Sequence, residues 1–354
     1  MTIDELLKDM VEKRASDLHL AVGSPPTYRI NGVLAPVTAE PLNVEEMQHL
    51  LTVVLGNDAL RKKFEEAKEL DFSYSIPGVS RYRGNLLYQR GTIGAVFRAI
   101  PTRPMTLDEL GFSPILKELC QKPRGLVLVT GPTGSGKSTT QAAMIDYINE
   151  QRAVHVVTIE DPIEFLHKNK KAIIRQRELG VDTLSFAEAL KHALRQDPNV
   201  ILVGEMRDLE TIALAVTAAE TGHLVLATLH TTGAPATVDR VVDVFPPHQQ
   251  QQVRVQLSGV LEAVVSQTLV PTKDGKGRAC AMEIMIGTSA IRNLVREGKS
   301  HQITSAIQSG GKYGMITLDA ALKNLLVSGK VSMEEAMLKA VDVEEFKRLC
   351  GPSG

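Results

Sequence analysis

Apolar residues recur along this chain with two different periods, and the change from one to the other divides it. Thr2 and Glu5 stand at capping-box spacing and Leu6, Leu7, Met10 and Val11 follow at helical intervals, which predicts an amphipathic helix at the start. Alternation over 18–22, 27–30 and 33–37 predicts short strands, the last two joined by Asn31-Gly32, a two-residue hairpin signal. Residues 44–67 carry a helical period, after which 71–76, 81–89 and 92–100 alternate again around Pro77-Gly78 and Arg90-Gly91. The pattern predicts a small α+β domain with an antiparallel sheet over 1–100. Pro101, Pro104 and Gly111 interrupt both periods, so 101–114 reads as a linker or hinge.

From about residue 115 the strand-length runs are almost wholly apolar, at 126–130, 154–159, 200–203 and 224–229. They alternate with helical stretches near 138–149, 185–195 and 208–221. Strands apolar on both faces have to be covered on both, which predicts a parallel sheet between helical layers, an α/β domain over 115–354. Beyond Pro246-Pro247, the spacing of Val253, Leu257, Val260, Leu261, Val264 and Val265 predicts one long helix. The remaining third reads as mostly helical, with Ser332 and Glu335 at a second capping-box spacing and Gly298 and Gly329 as helix stops.

The apolar run ending at Val129 leads straight into Gly131-Pro132-Thr133-Gly134-Ser135-Gly136-Lys137-Ser138-Thr139, and a helical stretch follows. A G-x-x-x-x-G-K-[ST] loop between strand and helix presents successive backbone N–H groups as an anion nest at the positive end of the helix dipole. Gly131, Gly134 and Gly136 supply conformations and close approach that a Cβ would obstruct, Lys137 reaches the β- and γ-phosphates, and the Ser138 hydroxyl can ligate Mg²⁺. ATP with Mg²⁺ is the expected ligand, and the expected frame is the RecA-like α/β core of a P-loop enzyme.

Triphosphate hydrolysis needs a metal, a carboxylate to orient or deprotonate water, and positive charge on the transferring group. Glu205 follows the buried run 200–203 where a Walker B acid belongs, although Asp is the commoner residue there. Glu160, Asp161 and Glu164 follow the run 154–159. Carboxylates gathered beside a phosphate nest repel the substrate unless they hold a metal or activate water. Capping of the following helix is the plainer use of Glu160 and Asp161. His230, with Thr228, ends the strand 224–229 where a γ-phosphate sensor would sit, while His223 at its other end reads as structural or as an interface residue. Arg81, Arg83, Arg90, Arg98 and Arg103 lie on and after the small domain's strands and suit delivery in trans to a neighbouring subunit's site. Ordinary exposed strand charge is the competing account.

Composition narrows the class. At 354 residues two domains are expected. A formal net charge of −1 without clustered Lys and Arg argues against a duplex-binding surface, and the basic run from His167 to Arg177 lacks an aromatic to stack a base and reads as a solvated hairpin. Nucleic acid is therefore not an expected partner. Cys120, Cys280 and Cys350 are too few and too scattered for a disulfide framework or a four-cysteine zinc site, which fits a reducing, cytoplasmic setting. No signal-peptide pattern opens the chain and no run of about eighteen apolar residues occurs, so no direct membrane insertion is expected.

Together, Gly131–Ser138, Glu160-Asp161-Pro162-Ile163-Glu164, Gly204-Glu205-Met206-Arg207-Asp208 and Gly222 to Thr231 resemble the Walker A, Asp box, Walker B and His box of the secretion-superfamily ATPases. Within that superfamily, Ala15-Ser16-Asp17-Leu18-His19-Leu20 and Ala290-Ile291-Arg292-Asn293-Leu294-Val295-Arg296-Glu297 look like the type IV pilus retraction ATPases. The resemblance covers nearly the whole chain. It implies a PAS-like N-terminal domain, a RecA-like ATPase domain and a homohexameric cytoplasmic motor. That motor would act at the pilus base on an inner-membrane, PilC-like platform protein to power retraction and twitching motility. It also implies that Lys137 and Ser138 bind phosphate and Mg²⁺, that Glu164 and Glu205 share water activation and metal positioning, and that His230 meets the γ-phosphate side. Glu164 leads as base and Glu205 as metal-side acid, with the reverse left open. Arg83 and Arg98 lead as trans fingers, with Arg81 and Arg103 behind them. Residues 290–297 form one amphipathic helix, Ile291, Leu294 and Val295 inward and Arg292, Asn293, Arg296 and Glu297 outward, to which the resemblance assigns a task in retraction. Assembly-type relatives carry a Cys-x-x-Cys zinc module and an added N-terminal domain, which this sequence lacks. A pilus-assembly or type II secretion ATPase, a DNA translocase and a nucleotide sensor are the rival readings.

Overall fold

The computed structural model describes residues 1–30, 32–101 and 103–351. They form two compact units, one over Met1–Arg103 with Glu164–Leu166, the other over Pro104–Ile163 and from His167 onward. Asn31 of the expected hairpin turn and Thr102 of the expected linker lie outside the described residues.

The first unit is built on an antiparallel sheet ordered β3-β2-β1-β6-β5-β4, from β1 (Asp17–Ala21), β2 (Thr27–Ile30), β3 (Val33–Pro36), β4 (Glu69–Ile76), β5 (Ser80–Gln89) and β6 (Thr92–Ile100). Helix Ile3–Glu12 opens with the reciprocal Thr2–Glu5 capping box and buries Ile3, Leu6, Leu7 and Met10. Tyr28 and Tyr82 donate their hydroxyls to the Leu6 and Leu7 carbonyls at 2.6 and 2.8 Å, so these buried phenols stay satisfied beneath the helix. The helical period over 44–67 resolves into two helices, Val44–Leu55 and Asp58–Ala67, because Asn57 leaves helical geometry and caps the second. One sheet face carries the core, where Phe72 and Phe97 meet edge to face at 5.7 Å. On the other face Arg29, Asp17, Arg98 and Arg83 lie side by side across β2, β1, β6 and β5.

The second unit carries a seven-stranded sheet ordered β13-β12-β7-β11-β10-β8-β9. Its strands are β7 (Gly125–Thr130), β8 (His155–Glu160), β9 (Ile173–Glu178), β10 (Val200–Val203), β11 (Leu224–Leu229), β12 (Leu261–Pro271) and β13 (Arg278–Ile286). All neighbours run parallel except β12 and β13. Alternate residues of β7 feed the two cores, Leu126 and Leu128 on one face and Val127 and Val129 on the other, as a doubly covered sheet requires. The RecA-like α/β core with a smaller N-terminal α+β unit is thus the observed fold class.

Three elements differ from expectation. The helix after Pro246 ends at Val260, and Leu261, Val264 and Val265 belong instead to β12, buried between β13 and β7. A bulge marks the switch, since Leu261 pairs with Leu126 and Ala263 with Val127, leaving Glu262 as the extra residue. The last third therefore contains a long antiparallel ribbon before its helices, which pack Leu318, Leu322 and Phe346 into a separate core. The basic run is no free hairpin either, because Ile173–Glu178 pairs with β8 as the parallel edge strand. Gly298, directly after its helix, and Gly329, one residue beyond the Ser328 cap of the next long one, take left-handed φ of 69° and 70°, and Ser332 accepts the Glu335 N–H.

Candidate nucleotide site

The carboxyl ends of β7, β11 and β10, adjacent in the sheet, carry the phosphate loop, His230 and Glu205 respectively. In the loop Gly131, Gly134 and Gly136 have φ of 136°, 78° and 91°, all in the region that favours glycine. Gly131 is needed twice over, since a Cβ there would stand 2.2 Å from the Gln267 carbonyl oxygen. Helix Lys137–Gln151 begins with no side-chain cap, which leaves its first-turn N–H groups to whatever fills the loop. Lys137 is buried and folds back, its Nζ donating to the Gly131 and Pro132 carbonyls at 2.8 and 3.1 Å. Ser138 and Thr139 are half-buried on the first turn, and Pro132, Thr133 and Gly134 are exposed. The buried Ser135 hydroxyl has no partner among the described residues. An orphaned hydroxyl, a cationic amine and unclaimed helix N–H groups are a donor set that fits a polyphosphate.

Glu205 forms a second cluster. One of its carboxylate oxygens lies 2.5 Å from Arg207 Nε and 3.0 Å from His230 Nε2. Burial alone pushes this carboxyl up, but Arg207 and His230 outweigh it and hold Glu205 below the usual carboxylate range. The glutamate is therefore an anion, able to receive a metal or orient water. Thr228 donates its hydroxyl to the Gly204 carbonyl, and the Met206 N–H donates to the Thr228 carbonyl at 3.1 Å, which fastens this loop to β11. Gly204 permits the tight approach to β8, as a Cβ would lie 3.0 Å from the Ile159 carbonyl oxygen. Asp208 caps the next helix by accepting the Thr211 N–H, and the His223 ring stands 2.9 Å from the Ala218 carbonyl at that helix's far end.

The acids after β8 take separate paths. Glu160 accepts from the Thr158 hydroxyl at 2.6 Å and Gln176 Nε2 at 3.1 Å rather than capping a helix. Asp161 is exposed, and Glu164 is exposed and held with the first unit. There, the Leu166 N–H donates to the Pro101 carbonyl.

Of the leading arginines, Arg98 makes a 2.7 Å ion pair with buried Asp17, and Arg29 lies 3.9 Å from the other oxygen of the same carboxylate. Burial pushes the Asp17 carboxyl up, while Ser16 and Arg98 more than offset this, so it stays ionised. Arg83 sits directly across from Arg98, where two like charges on one sheet face gain from a shared anion.

Helix Ser289–Glu297 carries the candidate retraction motif and buries Ile291 and Val295. Arg292 does not face outward as expected. Its guanidinium donates to the carbonyls of Gly287, Ser258 and Gly259 at 2.7, 3.0 and 2.6 Å and to Glu262 at 2.6 Å. It thereby satisfies the carboxyl end of helix Pro247–Val260, which would otherwise leave orphan carbonyls. Ala290, Asn293, Arg296 and Glu297 are exposed, and Leu294 is half-buried.

Sequence reasoning gave Arg207 no role, although it follows Glu205 by two positions, and it missed Gln267. Gln267 left no local signal, because its partners lie 127 and 132 residues away.

This fold and this loop define a P-loop nucleoside triphosphatase. The family model of the type II/IV secretion system proteins matches residues 1–338, and the chain belongs to that family. It is 55% identical to the type IV pilus retraction ATPase PilT of Pseudomonas aeruginosa, over 98% of this chain and 100% of that one. It is 51% identical to a twitching motility protein of Neisseria gonorrhoeae, over 91% and 86% of the two chains. A crystal structure of the pilus retraction motor PilT with bound ADP superposes with a TM-score of 0.91 at 47% identity, covering 98% of this chain and 99% of that one.

Proposed function

We propose that this protein is the ATP-hydrolysing motor of type IV pilus retraction, working as a cytoplasmic homohexamer at the inner-membrane pilus base. The observation that carries the reading is similarity along essentially the full length of both chains to a protein named for that activity, combined with an intact phosphate loop. Lys137 and the loop N–H groups hold the β- and γ-phosphates, and Ser138 with Glu205 holds Mg²⁺, which when bound neutralises phosphate charge and orients the γ-phosphoryl group. Glu164 orients and deprotonates the attacking water, and His230, poised on Glu205, meets the γ-phosphate side. Arg83 and Arg98 come from a second copy to complete charge neutralisation, with Arg98 also paired to Asp17 at 2.7 Å on its own sheet. Residues 101–114 serve as the hinge between an N-terminal domain over 1–100 and the ATPase domain. The exposed Ala290, Asn293, Arg296 and Glu297 present the face that retraction uses against a PilC-like platform protein.

Lys137→Ala should abolish turnover while the assembly keeps its size in solution, and retained ATPase activity overturns the site assignment. Mixing Arg98→Ala with Lys137→Ala subunits should restore part of the activity at shared interfaces. Absence of rescue at every ratio removes the trans-arginine role. Retraction itself is read by complementation of a strain lacking its own retraction ATPase.

A further inference from the structure

We infer that Gln267 is a positioning residue of the phosphate loop, and that β12 is the strand on which both nucleotide-facing loops are anchored. Gln267 is buried, only 3% exposed, and lies on β12, the parallel neighbour of the strand that delivers the loop. Its carboxamide is used at both ends. Nε2–H donates to the Ser135 carbonyl at 2.7 Å, and Oε1 accepts the Thr140 hydroxyl at 2.9 Å. One planar group thus bridges the tip of the loop and the first turn of the helix after it, the two segments whose N–H groups form the anion nest. The fit is close, because a Cβ on Gly131 would meet the Gln267 carbonyl oxygen at 2.2 Å and one on Gly136 would meet Nε2 at 3.2 Å.

The preceding residue does the equivalent on the opposite face. Ser266 accepts the Gly233 N–H at 2.8 Å, at the start of helix Ala234–Asp243, in the segment that follows His230. Glu283, opposite Ser266 on β13, accepts the Ala234 N–H at 2.8 Å. Successive strand residues point to opposite faces, so Ser266 and Gln267 tie down the loops after β11 and β7 from a single strand. A buried amide that only needed partners could find them within its own strand pair. This one reaches across to the loop that holds phosphate.

The inference rests on the phosphate-loop reading, and the test separates the two. The full-length protein is compared with Gln267→Met, which keeps volume but loses both hydrogen bonds, and with Gln267→Glu. In the second variant an ionised carboxylate would set two acceptors against each other at Ser135 and add negative charge under the anion nest. A protonated carboxyl can donate to the Ser135 carbonyl while accepting from Thr140. MgADP affinity is measured by calorimetry near pH 8 and near pH 6, with kcat at saturating MgATP and the melting temperature of the nucleotide-free protein.

The expected result for Gln267→Met is a loss of about tenfold or more in MgADP affinity at both pH values with kcat little changed, the pattern of lost uniform binding. Gln267→Glu should match it near pH 8 and recover most of the affinity near pH 6. Affinity of Gln267→Met within twofold of the wild type overturns the inference. So does an equal, pH-independent loss in both variants accompanied by a lower melting temperature, which is the mark of a purely structural amide. If the wild-type protein itself fails to bind MgADP, the phosphate-loop reading falls first.

Discussion

Two alanine substitutions in one loop separate backbone strain from steric exclusion. Gly134 has φ of 78° and open space around an added Cβ, so Gly134→Ala introduces only the left-handed penalty, about 1–2 kcal/mol for an L-residue. The loop either keeps its shape and loses that much stability, or relaxes and loses affinity instead. The fall in MgADP affinity is therefore capped at roughly 30-fold. Gly131→Ala has no such choice. With φ of 136° it meets the Gln267 carbonyl oxygen at 2.2 Å and Ser135 Oγ at 2.7 Å, and the first of these is backbone of a strand fixed on both sides. The loop has to recede by roughly 1 Å to restore an ordinary contact, a displacement that costs on the order of a hundredfold where donors have to converge on a phosphate. Calorimetric titration of MgADP into each full-length variant, with a melting curve on each, measures both quantities. Gly131→Ala binding within threefold of the wild type would refute the reasoning, as would Gly134→Ala losing as much affinity as Gly131→Ala.

Arg207→Met removes the stronger counterweight to burial at Glu205, so this carboxyl rises in the free enzyme and the acid limb of the kcat/KM–pH profile moves to higher pH; an unmoved limb contradicts the pairing. Arg292→Ala strips three carbonyls of their donor and leaves Glu262 with Lys122 at 3.0 Å, which should lower stability by about 2–4 kcal/mol in a melting or urea titration. Burial holds His167 down to about 4, whereas the unfolded chain takes up that proton near 6.5. The unfolded state therefore binds more protons between those values, and stability falls as pH drops through them, by up to about 3 kcal/mol from this one ring. His167→Gln should flatten that part of the stability–pH curve, and an unchanged slope would place the proton uptake elsewhere.

The phosphate loop and the strands around it were legible because their cause is local: an apolar run, three glycines and a lysine at fixed spacing suffice. The start of β12 was not. Val253, Leu257, Val260, Leu261, Val264 and Val265 satisfy a helical period throughout, and the single Ser258-Gly259 dipeptide just before Leu261 is too slight a local mark to set against it. Tertiary pairing with β7 decides it, and pairing leaves no trace in a window of that length. At β9 the alternation is genuine, but Arg175 and Arg177 occupy its wetter face and make an edge strand look like solvated loop. Arg292 misled for a related reason. A guanidinium on an amphipathic helix reads as surface until its acceptors are known, and two of them lie 33 and 34 residues earlier. The Glu205–Arg207–His230 cluster was half visible, with the acid and the histidine placed at strand ends and the arginine overlooked.

The extra residue at Glu262 acts as a phase setter for everything downstream. Had the ladder continued from the Leu261–Leu126 pair without it, each later position would slip by one, and the short hydroxyl of Ser266 would occupy the place from which the Gln267 carboxamide now spans to Ser135 and Thr140. Arg292 and Lys122 grip that residue from two directions, so a pair of ordinary cations keeps the strand's odd and even positions from trading faces.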